Sequence, residues 1–132
     1  MDEELESRVW QRVRFELPIG EAAGCAGLLR ALYKYGRGKE VSARLLQTQM
    51  EHLDTLRGIQ RSLGRPEPEW VIAEPRGAGL TQVCGSALEK LRLLGRRYEV
   101  LSRDETYGPV FRLLEKENIS MQKELLRLYS RV

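Results

Sequence analysis

The sequence predicts an all-α fold, a four-helix bundle, and three observations carry that prediction. Apolar positions follow a period near 3.6 along nearly the whole chain, with no stretch of sustained two-residue alternation. Stop and start chemistry cuts the pattern into segments of helical length: Gly36-Arg37-Gly38, Gly64-Arg65-Pro66 and Gly108-Pro109. The connections between the long segments are short, long and short in turn, which suggests two antiparallel hairpins joined by a crossover.

Taken in order, residues 2–16 open with acids suited to a helix N-terminus and place Leu5, Val9, Trp10 and Val13 on one side before Pro18. They form a short leader helix, so the chain divides into a leader over 1–18 and a bundle over 19–132. The first long helix runs from about Ile19 to Tyr35, with Glu21, Cys25, Leu28, Leu29 and Leu32 inward. The second runs from about Glu40 to Leu63. The stretch Pro66–Ala78 holds three prolines and one glycine and is a connecting loop. The third long helix, about Leu80 to Ser102, carries Leu80, Cys84, Ala87, Leu91, Leu94, Tyr98 and Leu101 on one stripe. The last starts at Gly108-Pro109, where proline suits the first helical position, and reaches Tyr129 with Val110, Leu114, Glu117, Met121, Leu125 and Leu128 inward. About 14 extended residues at ~3.3 Å each cover over ~40 Å, enough to run the length of a ~24-residue helix. The middle loop is therefore the long crossover.

At 132 residues the chain holds one core. It has no apolar run long enough to span a bilayer and no signal-peptide pattern, so the expected compartment is the cytoplasm. Lys plus Arg number 22 against 19 Asp plus Glu, and the basic residues are scattered, which argues against a nucleic-acid footprint. Lys90, Arg92, Arg96 and Arg97 form the one local basic cluster and read as a solvated helix face. With only two cysteines, Cys25 and Cys84, a cysteine-rich zinc site is excluded by count, and both read as small core residues. Leu93, Val100, Trp10 and Trp70 form an apolar surplus pointing to a homo-oligomer, a dimer or larger.

The chemistry lies in the polar residues that helical phase turns inward. On the second long helix Leu45, Leu56, Ile59 and Leu63 recur at gaps that leave Gln49 and His52, the only histidine, on the same stripe. Glu51 and Asp54 point away at ~100° per residue and are solvated. Burying an imidazole and a carboxamide costs roughly 1–3 kcal/mol each unless partners answer them. Glu21 on the first long helix and Glu117 on the last are candidates. Carboxylates and an imidazole converging between helices suit iron or manganese.

Gln49-Met50-Glu51-His52-Leu53-Asp54-Thr55-Leu56 and the following Leu63-Gly64-Arg65-Pro66 resemble the ferritin-like superfamily, which includes rubrerythrins and bacterioferritins. The resemblance covers roughly Gly20 to Tyr129. It implies a Glu on the first helix, Glu-x-x-His on the second, a Glu on the third and Glu-x-x-His on the fourth, together holding two metals. Glu21 matches the first position and His52 the second-helix histidine, with Gln49 where the bridging Glu belongs. Glu89 matches the third helix by order, though its phase sets it opposite the apolar stripe. Glu117 matches the fourth, with Ser120 in place of its histidine. The motif is thus an incomplete di-iron one. What it implies is a reduced or vestigial iron or manganese site, with metal-dependent oxidation or peroxide reduction as the family chemistry. The alternative is a non-catalytic helical interaction module that self-associates without metal.

Overall fold

The computed structural model describes residues 3–36, 39–77 and 79–130, with side chains from Phe15 onward. Four helices account for most of them: α1 (Glu3–Tyr35), α2 (Lys39–Ser62), α3 (Leu80–Leu101) and α4 (Gly108–Tyr129). The second, third and fourth begin and end within a residue or so of the positions that the stop signals and periodicity predict. Among the described residues there is no strand. None of the helices is long and apolar enough to cross a membrane, again among the described residues.

One expectation is corrected. The leader and the first long helix are a single element, with Pro18 inside it. Proline removes one main-chain donor and crowds the carbonyl four residues back. A helix survives this as a local distortion when packing on both sides holds it. Phe15, Ile19, Ala22 and Ala23 are all buried around Pro18 and supply that packing. The side chains of Leu5, Val9, Trp10 and Val13 lie outside the described residues.

Side-chain contacts set the topology. Gln49 meets Ala22 and Gln60 meets Glu16, so α1 and α2 are antiparallel. Asn118 reaches Leu91, and Gly85 lies beside Tyr129, so α3 and α4 are antiparallel too. Glu21 pairs with Arg97 while Ala31 and Val83 share a cleft wall, making α1 and α3 antiparallel neighbours. His52 faces Glu117 and Arg44 faces Glu124, which does the same for α2 and α4. The order is up, down, down, up, and residues 63–79 must cross from the end of α2 to the start of α3 on the diagonal.

The core fills the space between the four inward stripes, with Leu29, Leu45, Leu53, Leu56, Leu91, Leu94 and Leu125 almost fully buried. A run of ring contacts threads it. Tyr107 meets Phe15 edge-on at 5.9 Å, Phe15 meets Phe111 at 6.0 Å, Phe111 meets Tyr98 at 6.1 Å, and Tyr98 meets His52 edge-on at 6.0 Å. Such offset and edge-on pairs add to area burial and fix ring orientation. His52 is held at the end of that run.

The crossover is fastened along the bundle as a strap. At its start Gln60 Nε2 donates to the Pro66 carbonyl at 3.2 Å, and the Arg57 guanidinium lies 5.1 Å from the centre of the Trp70 ring. Trp70 thus packs against the core rather than forming part of an exposed surplus. Further on, Glu74 accepts from Arg30 and Lys34 of α1, each at 2.8 Å. Lys34, first, and then both cations together hold the Glu74 carboxyl below its ordinary range. A carboxylate depressed in the folded state contributes at neutral pH, and that contribution fades as pH falls through the depressed value. Glu74→Gln is accordingly expected to raise the rate of protease cleavage within 65–77 at pH 7 while far-UV circular dichroism stays unchanged. At acid pH, where wild-type Glu74 is itself protonated, the two cleavage rates should converge.

Candidate functional site

Inward polar side chains meet halfway along the bundle. α2 contributes Gln49 and His52, both buried, because the same 3.6 period that turns Leu45, Leu56 and Ile59 inward turns them too. Glu51 and Asp54 are exposed, as their phase requires. His52 is only 2 % exposed, and its Nε2 lies 3.7 Å from Oε1 of Glu117 on α4. That separation is within ion-pair range and beyond hydrogen-bond length. Neither ring nitrogen has a hydrogen-bond partner among the described residues. Burial lowers the imidazole pKa from its ordinary 6.5, against the opposing pull of Glu117 and, more weakly, Glu51. The ring is therefore neutral at pH 7, with a lone pair available to a proton or a metal.

Gln49 lies almost one turn before His52. Its Nε2 donates to the Ala22 carbonyl at 3.3 Å, while its buried Oε1 has no hydrogen-bond partner among the described residues. Glu117 sits on the flank of α4 with its side chain 38 % exposed. It borders a groove of ≈ 190 Å³ between α2 and α4, shared with Arg44, Thr48, Ser120 and Glu124. His52 does not line that groove; both its ring nitrogens are buried behind the Glu117 carboxylate. Ser120, in the place of a second histidine, is exposed on the same helix.

The other two predicted ligands are elsewhere. Glu21 is mostly buried and pairs with Arg97 of α3. Glu89 is exposed on the outer side of α3, as its phase indicates. Among the described residues no three His, Cys, Asp or Glu side chains converge closely enough to hold a metal ion. His52 and Glu117 remain as a pair, with the Gln49 oxygen the nearest further donor in sequence on that face. Two divalent ions in a low-dielectric interior need several carboxylates to offset their charge. Here the Glu21 carboxylate already has a protein cation beside it, so the donor set does not fit two ions.

Arg97 and Asn118 escaped the sequence reading. Arg97 belongs to the basic cluster expected to be solvated, yet it falls three residues after Leu94 and just before Tyr98, on the flank that faces α1, where it pairs with Glu21. Asn118 is fully buried, donates through Nδ2 to the Leu91 carbonyl at 3.0 Å, and accepts from Gln122 Nε2 at 2.6 Å. The inward line on α4 runs through Phe111, Leu114, Asn118, Met121 and Leu125 rather than through Val110 and Glu117. Gaps of 3, 4, 3 and 4 were the available signal. Gln60 and Ser42 on α2 are also buried polar residues that the stripe did not single out.

Cys25 and Cys84 are both buried free thiols. Burial pushes Cys25 up to about 12 and Cys84 in the same direction, so neither offers a thiolate at neutral pH. The Tyr98 hydroxyl is buried beside the site without a hydrogen-bond partner among the described residues, and burial, then Cys25 and Glu21, raises its pKa. Tyr33 and Tyr35 are exposed. Compared with known protein families, curated proteins and solved structures, the chain has no match in any of the three.

Proposed function

We propose that this chain is a ferritin-like bundle with a reduced metal site, which takes up one divalent cation of the iron, manganese or zinc class between α2 and α4. His52 supplies the nitrogen donor, Glu117 the charged oxygen and Gln49 a neutral oxygen. One observation carries the reading: a neutral imidazole, 2 % exposed and without a hydrogen-bond partner on either nitrogen among the described residues, stands 3.7 Å from a carboxylate that opens onto solvent. An unanswered buried polar group is costly, and a cation with its own waters would satisfy both residues. The diagonal crossover and the Gln49–Leu56 segment agree with the ferritin-like resemblance. With so few protein donors, such an ion keeps open coordination positions, and ferroxidase activity is expected to be weak or absent.

The test is metal uptake. Protein purified without chelator and dialysed against Mn(II), Fe(II) or Zn(II) should retain one equivalent by elemental analysis. His52→Ala should abolish retention and Glu117→Gln should weaken it at least tenfold. No uptake by the wild-type protein after reconstitution would sink this reading.

The second reading is a metal-free helical interaction module that self-associates. The Arg97–Glu21 pair favours it, since a protein cation already neutralises the interior carboxylate. Exposed Leu113, Ile119 and Leu126 on α4 supply apolar surface for it. A fully helical apo protein that sediments as a dimer or larger would support this second reading over the first.

A further inference from the structure

We infer a second site, for an organic phosphate, in the cleft between the strap, the end of α1 and the start of α3. The cleft measures ≈ 880 Å³. That falls in the size range of small-molecule pockets, which run to about 1,000 Å³. It far exceeds the needs of a bare inorganic ion. Its walls are of two kinds. Arg30, Lys34 and Arg76 contribute positive charge to the lining, and Ala31, Ile72 and Val83 contribute apolar surface.

Charge gives the ligand its sign. The only acid in the lining is Glu74, which Arg30 and Lys34 share. Arg76 has no ion-pair partner among the described residues and is exposed beside them. Three cations against one carboxylate leave the cleft with an excess of two positive charges. The start of α3 adds to this. Its N-cap is Gly79, which offers no side chain to the first-turn amides, and the first turn contains no acid. Both Gly79 and Leu80 line the cleft. Uncapped amides at a helix N-terminus carry partial positive charge toward the same space. A guanidinium fork matches phosphate oxygens geometrically, and the apolar part of the lining suits a ligand with a body beyond its phosphate. The class is therefore a phosphomonoester attached to a ring or an apolar group, of about mononucleotide size.

This site is independent of His52: Ala31 lies ten residues along α1 from Glu21, about 15 Å at 1.5 Å per residue. Isothermal titration of the full chain at low ionic strength, where screening is weak, is the test. Adenosine monophosphate is the probe. It is expected to bind one per chain, to lose affinity at least tenfold in Arg76→Glu, and to weaken as salt is raised. Adenosine, which lacks the phosphate, should bind at least tenfold more weakly, and inorganic phosphate should compete. His52→Leu should leave the binding unchanged. Arg76 lies on the exposed strap, so thermal melting of Arg76→Glu should match the wild type and confirm that the variant is folded. Equal affinity of wild type and Arg76→Glu, equal affinity for adenosine, or no binding in the millimolar range overturns the assignment. So does capture by phosphatidic acid vesicles without affinity for the nucleotide, which would make the source of the phosphate a lipid surface.

Discussion

Gly27→Ala is expected to destabilise the protein by about 2–4 kcal/mol and to free the strap. Gly27 lies on the face of α1 over which the crossover passes, and a β-carbon there would overlap the main-chain carbonyl oxygen of Ala73. Main chain cannot rotate aside as the end of a lysine can, so the strap must lift. Lifting it uncovers Ile72 and Trp70, which pack against the core, and pulls Glu74 from Arg30 and Lys34. Exposing one large apolar side chain costs roughly 1.5–3 kcal/mol, and two partly buried ones bring the loss into the stated range. The better helix propensity of alanine, ~1 kcal/mol, is already set against it. Gly20→Ala is the control, because a β-carbon at Gly20 meets nothing within 4 Å. It should gain up to ~1 kcal/mol. Urea unfolding gives both numbers, and hydrogen exchange across 65–77 reports the strap directly. A Gly27→Ala protein as stable as Gly20→Ala would show that the strap is not held against α1.

His52→Leu should move stability the other way in metal-free buffer, by about 1–3 kcal/mol. Leucine has similar bulk and needs no hydrogen bond, so the substitution removes a desolvated imidazole whose nitrogens find no partner among the described residues. The ring packing on Tyr98 is the part that is lost. The sign of the pH effect is fixed by burial. The folded pKa of His52 lies below its ordinary 6.5, so between those two values the unfolded chain binds more protons than the folded one. Stability from this residue is full above pH ~6.5 and declines as pH falls toward the folded pKa. Urea melts at pH 7.5 and 5.5 should differ for the wild type and differ less for His52→Leu. A His52→Leu protein less stable than wild type without metal would mean that the imidazole has a partner such as a bound water. A stabilised variant that no longer retains metal would identify His52 as kept for binding at the expense of stability.

The bundle was legible because each helix announces itself locally. Gly36, Gly64 and Pro109 mark ends, and the stripes read on α2 and α3 are buried except at their outer ends, Leu63 and Leu80, which are half-buried; Leu53, Val83 and Leu88 widen the buried faces beyond them. What did not show in sequence depends on neighbours. Pro18 reads as a break, and only the burial of Phe15 and Ile19 around it keeps the helix whole. His52 and Gln49 were found because a stripe with two polar gaps is visible in one helix alone. Their partners were not equally visible: Glu21 and Glu117 are both on flanks, where a side chain reaches toward either neighbour or toward water. Which way it turns depends on the facing helix, and for Glu21 that helix offers Arg97.

The interior polar contacts sort by which helices they join. Gln49 to Ala22 and Asn118 to Leu91 are amide contacts within one hairpin, and they set how far each helix slides along its own partner. Glu21 with Arg97 and His52 with Glu117 cross from one hairpin to the other, at one level of the bundle. Mating the hairpins the wrong way, α1 beside α4 and α2 beside α3 at that level, would set two carboxylates face to face and leave an arginine against an imidazole. The charged residues therefore act as a key: each hairpin is complete in itself except for groups that only the correct orientation of the other can answer.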